Sequence, residues 1–158
     1  MKMKRIPKII KKPAMMFAGF EREFQKDNSM KEIPGFWDNL PFLLEENKIS
    51  KNLEVGEYAL CVDNKDKVRY IIATKMEEEV EPKGLTGFKL EECEWAIFEV
   101  YGPMPKAMQD MEKYIFGQWL KRHDEYKVGR VTIEKYDDGD MTSDDYHSQV
   151  WVSVKRKK

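Results

Sequence analysis

Within residues 95–120, WAIFEVYGPMPKAMQDMEKYIFGQWL, the hydrophobic period changes once, across a Gly-Pro pair. From Trp95 to Tyr101 the chain alternates: Ala96, Phe98 and Val100 fall on one side, Trp95, Ile97, Glu99 and Tyr101 on the other. Successive side chains of a strand point to opposite faces, so this alternation predicts a strand with one core face and one mixed face. After Gly102 and Pro103 the spacing lengthens to three and four, with Ala107/Met108, Met111, Ile115 and Trp119 in one stripe. That stripe predicts a helix over 105–122, packed through its Met and Trp side chains. Pro105 suits the first turn, and Lys121, Arg122 and His123 suit the negative end of the helix dipole. Strands at 129–136 (GRVTIEKY) and 146–155 (YHSQVWVSVK) follow, joined by the acidic turn DDGDMTSDD. The order is strand, helix, strand, strand.

The first half of the chain repeats that order without repeating the residues. Ile6 to Phe24 reads as extended chain, with Gly19 marking a bulge or a close backbone approach. Residues 25–32 read as a polar turn. Apolar positions at 33, 36/37, 40 and 43/44 then predict a helix over 33–48, with Pro34 at its start. Pro41 is foreign to a helix interior: either the helix kinks there, the favoured reading, or a turn at 34–39 precedes a helix of about 40–48. Strands at 57–63 and 67–76 flank the hairpin turn NKDK, and 77–92 reads as a linker or surface loop. Two halves, about 6–78 and 92–156, predict an α+β fold: a duplicated βαββ unit with antiparallel sheet, helices on one face, and the opposite face free to curve into a central cleft.

At 158 residues the chain is long enough for one domain with a full core and no disulfide framework. A net charge of −1 supplies no overall field to hold nucleic acid, so no direct nucleic-acid binding is expected. The basic ends, MKMKRIPKIIKK and KRKK, could be phosphate-contacting arms. Without a helix-turn-helix or zinc-finger pattern beside them they read as solvated termini. The apolar runs are too short for a membrane span, and the start lacks the apolar segment of a signal peptide. Cys61 and Cys93 then read as reduced thiols of a cytoplasmic protein.

No phosphate-binding glycine loop and no G-x-S-x-G elbow is present. His123 and His147 lack Cys or His neighbours at metal-ligand spacing and read as ordinary surface residues; DDGDMTSDD cannot supply the order of an EF-hand loop. No metal or cofactor is expected. The aromatic side chains on predicted elements point elsewhere: Trp37, Tyr58, Tyr70, Trp95, Tyr101, Trp119, Tyr136 and Trp151. Two carboxylates sit among them, each two residues from a tyrosine. Glu99 precedes Tyr101, and Glu134 precedes Tyr136 on a face shared with Thr132, beside a strand offering His147, Gln149 and Trp151. An acid among rings suits a lipophilic cation, each well-placed ring adding roughly 0.5–2 kcal/mol. The plainer alternative from spacing alone is an exposed sheet face where each Glu meets a cross-strand Lys or Arg.

Taken together, IPGFWDNL (33–40), the segment 95–120, IEKYD (133–137) and VWVSVK (150–155) resemble the GyrI-like small-molecule-binding domain, found also as the effector-binding half of AraC-type and MerR-type multidrug regulators. The pieces span nearly the whole chain in order. The resemblance implies a duplicated βαββ fold whose central aromatic pocket often holds a buried acid that receives cationic lipophilic compounds. Its E-x-Y segment maps onto Glu134 and Tyr136, which raises Glu134 above Glu99 as the pocket acid. Trp37 and Tyr101 become wall residues, with Glu99 and Trp151 as further candidates. Pro41 departs from the uninterrupted first helix of that pattern.

Three functions follow as expectations. One domain consumes all 158 residues and leaves no DNA-binding module, which favours a stand-alone protein that sequesters or senses a lipophilic or cationic aromatic small molecule. Some relatives resemble hydrolases of cyclopropanoid DNA-alkylating compounds, in which case Glu134 would activate water. A gyrase-inhibitor-like role would make gyrase or a regulator the partner. A monomer or weak dimer is expected.

Overall fold

The computed structural model describes residues 5–157; Met1–Lys4 and Lys158, parts of the two basic ends, lie outside the described residues. In chain order the elements are β1 (Lys8–Lys12), β2 (Met15–Gln25), α1 (Ser29–Asp38), α2 (Leu40–Glu46), β3 (Tyr58–Asn64), β4 (Lys67–Met76), β5 (Thr86–Leu90) and β6 (Cys93–Tyr101). Then come α3 (Lys106–Tyr114), a π-helical turn at Ile115–Trp119, α4 (Leu120–Arg122), β7 (Tyr126–Tyr136) and β8 (His147–Arg156). The fold is α+β with antiparallel pairing, as the periodicities predict. It divides into two compact units, one of residues 14–91 and the other of residues 92 onward joined by the segment that ends at Pro13.

The first unit is a sheet in the order β3-β4-β2-β5. Its helix α1 lies on the sheet through Phe36, which is buried with its ring 6.1 Å from Phe24 and 6.3 Å from Tyr70. Gly19 is the close approach anticipated at that position: β2 and β4 pair without interruption, and a Cβ at Gly19 would stand 2.1 Å from the Ile72 carbonyl oxygen. Positive φ at Lys65 turns the β3–β4 hairpin.

Three expectations here need correction. The stretch 25–32 is not all turn, because α1 starts at Ser29 and carries Pro34 in its interior. The hydrogen bond that Pro34 cannot make would have gone to the Met30 carbonyl, in an exposed first turn where the loss costs least. Residues 33–48 are two helices that meet at Asn39, with Pro41 in the first turn of α2, where an N–H has no helical partner to lose. The stretch 77–92 is not all loop, since β5 pairs with β2 and sets Phe88 opposite Phe17.

The second unit is a sheet in the order β1-β6-β8-β7. Its first strand therefore comes from the start of the chain and pairs with β6, Ile10 opposite Trp95, rather than belonging with residues up to 78. Gly102, at φ +136°, makes the turn from β6 into α3, and its N–H donates to the Tyr146 carbonyl at 2.9 Å. A side chain there would meet Ala107 as well as an unfavourable backbone. The expected stripe of Ala107, Met108, Met111, Ile115 and Trp119 is buried on Ala96, Phe98 and Val100 of β6 and Val150, Val152 and Val154 of β8. Burial of such a side chain contributes about 1.5–3 kcal/mol, so this seam holds the unit together. Among the described residues no helix is long and apolar enough to cross a membrane.

Candidate functional site

The pairing of β7 with β8 decides which acids can act together. Glu134 stands opposite Val150 and Thr132 opposite Val152, so both point to the face that α3 covers. Gln149 stands opposite Lys135 and Trp151 opposite Ile133, on the other face. The expectation that Glu134 and Tyr136 share a face with His147, Gln149 and Trp151 is thus corrected by register: a strand has two faces, and one residue of offset exchanges them. Apart from Trp37, the candidate residues form two separate groups in the second unit.

Beneath the helix lies the first group. Glu134 is 7% exposed, and Tyr136 donates its hydroxyl to Glu134 Oε1 at 3.0 Å. From α3, Glu112 brings a second carboxyl into hydrogen-bond contact with Glu134. Burial, then the field of Glu134, then that hydrogen bond push Glu112 well above the usual carboxylate range. Two carboxyl groups can hydrogen-bond each other only if one carries a proton, and Glu112 carries it here. Sequence reasoning missed Glu112. Its signal was present, however: four residues after Met108 and three before Ile115, it is a charged side chain set in the apolar stripe of its helix.

On the opposite face, Glu99 is held by its neighbours on β8. Gln149 Nε2 donates to Glu99 Oε1 at 2.8 Å, and Trp151 Nε1 donates to Gln149 Oε1 at 2.8 Å. His147 Nε2 donates to Glu99 Oε2 at 2.5 Å, while His147 Nδ1 donates to Asp137 Oδ2. With a carboxylate on each ring nitrogen, both must be donors, which is the imidazolium form. Burial opposes that charge, but the hydrogen bonds and fields of Asp137 and Glu99 outweigh it and raise the His147 pKa. His147 is therefore not the ordinary surface residue expected. Tyr101 tilts over the His147 ring at 4.9 Å and is 51% exposed, and Lys12 sits 4.8 Å over the Trp151 ring. Trp95, fully buried, packs edge-on to Trp151 at 6.1 Å, and its Nε1 has no hydrogen-bond partner.

Trp37 belongs to the other unit, on α1, where its Nε1 donates to the Tyr70 hydroxyl at 2.8 Å. His123 stacks on Trp119 at 4.8 Å near the end of the helix. The acidic turn after β7 is closed by its own groups, Asp140 accepting from the Thr142 amide at 2.9 Å and the Tyr146 hydroxyl donating to the Asp137 carbonyl at 2.7 Å. Among the described residues no group of three or more His, Cys, Asp or Glu is placed to hold a metal ion.

A βαββ-type sheet made twice, matched over nearly the whole chain by effector-binding relatives, identifies a GyrI-like effector-binding domain, a small-molecule-binding module related to transcription regulators. Residues 8–154 match the model of the integron-associated effector binding proteins, and the chain belongs to that family. Comparison with curated protein sequences gives no match. Among solved structures, SAV2435 bound to tetraphenylphosphonium is similar at a TM-score of 0.80 and 21% identity, over 94% of this chain and 93% of that one. An integron cassette protein from the mobile metagenome of Vibrio cholerae gives 0.67 and 14%, over 94% and 95%. The C-terminal domain of EcmrR gives 0.62 and 12%, over 98% and 100%. At these identities the likeness establishes the fold, while the site rests on this chain's own residues.

Proposed function

We propose that the protein binds lipophilic aromatic cations, with Glu134 as the counter-charge and Tyr136 fixing the orientation of its carboxylate. The observation that carries this reading is the burial of Glu134 beneath α3, held by the Tyr136 hydroxyl at 3.0 Å. A carboxylate withdrawn from water attracts a cation far more strongly than an exposed one, because the surroundings screen it less. A cation that is itself poorly hydrated, with its charge spread under aromatic rings, loses little on leaving water. The similarity to SAV2435, whose structure holds tetraphenylphosphonium, supports this ligand class.

Titration with tetraphenylphosphonium tests the reading. The cation should bind and raise the melting temperature, and Glu134→Gln should weaken binding at least tenfold, about 1.4 kcal/mol. Unchanged affinity in that variant removes Glu134 from the site. A second reading draws on the protonated carboxyl of Glu112 beside Glu134: a proton donor next to a base is also the equipment of a hydrolase. Incubation with a cyclopropanoid alkylating compound separates the two, since turnover yields ring-opened product in excess of protein and binding alone does not.

A further inference from the structure

We infer that Glu112 is a specificity-determining partner of Glu134: in the empty protein the two carboxyls share one proton, and a cation drawn to Glu134 displaces it. This inference rests on the reading of Glu134 as the cation's counter-charge. Its footing is geometric. The two carboxyls come from different elements, α3 and β7, and meet in hydrogen-bond contact beneath the helix. On this face the Tyr136 hydroxyl is committed to Glu134. The strands on which α3 packs bring Ala96, Phe98 and Val100 from β6, and Ser148, Val150, Val152 and Val154 from β8, none of which titrates. On α3 itself, Lys106 is paired with Asp110 at the exposed side, and Lys113 adjoins Glu112 in an exposed position. The hydrogen-bond contact itself requires a proton between the two carboxyls, so they meet as donor and acceptor and not as two negative charges.

A bound monocation can take over that task. One positive charge enters and one proton leaves to the buffer, so the net charge of the site stays at −1. The exchange avoids the cost of changing the charge of a buried site, which is steep when water is excluded. A neutral aromatic of the same shape has nothing to offer in place of the proton and leaves it where it was. The pair thus discriminates by charge, and it does so in proportion to pH. Affinity for a cation rises toward tenfold per pH unit wherever the empty pair still holds its proton, and affinity for the neutral analogue stays level.

Calorimetric titration of the full chain with tetraphenylphosphonium, in buffers of different ionisation enthalpy near neutral pH, counts the protons released. Wild type should release protons on binding, up to one per cation, Glu112→Gln none, and neutral triphenylphosphine oxide none from either. Glu112→Gln should also lose the rise of affinity with pH while remaining able to bind. Binding by wild type without proton release, or equal release from Glu112→Gln, overturns the role of Glu112 and leaves the cation-binding reading intact. No binding of tetraphenylphosphonium at all overturns both. If Glu112→Gln does not fold, the wild-type proton count and its dependence on the charge of the ligand decide the matter.

Discussion

Glu99 and Glu134 look alike in the sequence, each two residues before a tyrosine on a strand, and the structure gives them different occupations. Glu99 is bound up with His147 and Gln149 on one face; Glu134 is buried with Glu112 and Tyr136 on the other. Their protonation leads to separable effects on stability. His147 has a raised folded-state pKa, so its contribution is complete below the unfolded value of about 6.5 and is lost as pH rises through the folded value. Its side chain is partly exposed, which limits the contribution to about 1 kcal/mol. Thermal unfolding from weakly acidic to alkaline pH should show that decline in wild type, and His147→Gln should be less stable below about pH 6.5 and lack that part of the decline. Glu112 acts in the same direction from lower pH: an acid raised by folding favours the native state below its unfolded pKa of about 4.3 and gives up that contribution as pH rises toward the folded value. Glu112→Gln should flatten that part of the curve. The pairings behind both effects were not legible in the sequence, because strand register depends on contacts distant along the chain. Local spacing left Glu134 and Glu99 alike, and only the resemblance of Glu134 and Tyr136 to the family's E-x-Y segment set Glu134 apart.

Elements were easier to read than partners. The change of period across Gly102 and Pro103 marked β6 and the start of α3 within a residue, and the buried Met–Trp stripe is the one its spacing implied. The expected helix over 105–122, however, is α3, a π-helical turn at Ile115–Trp119 and α4 in succession. Met111, 1% exposed at the centre of that stripe, should cost about 2–5 kcal/mol when changed to Ala, measured by denaturant unfolding, because the void cannot collapse between a sheet and a helix. β5 and the first turn of α1 escaped notice for a shared reason. Thr86–Leu90 lies among glycines and charges, and Ser29–Glu32 is polar, so neither segment has an apolar period of its own. Each is held in place by a neighbour, β2 in one case and the rest of its helix in the other. Gly19 is the converse, a single residue whose meaning was visible locally. Gly19→Ala places a methyl against the β4 backbone and should destabilise by about 3 kcal/mol, with the loss located at β2 and β4 by amide exchange.

At the scale of the molecule, duplication was legible and its boundary was not. The order of strands and helices repeats, yet the cut falls after Pro13 and after Glu91, so one unit is contiguous in sequence and the other is assembled from two segments. β1 is too short and too rich in lysine to show by its own pattern which sheet it joins. Its placement sets a timetable. During synthesis β1 emerges first, but the strand it pairs with is made only after the whole intervening unit. Until then β1 waits without its sheet, and β6, on arriving, must find it before some other unpaired edge does.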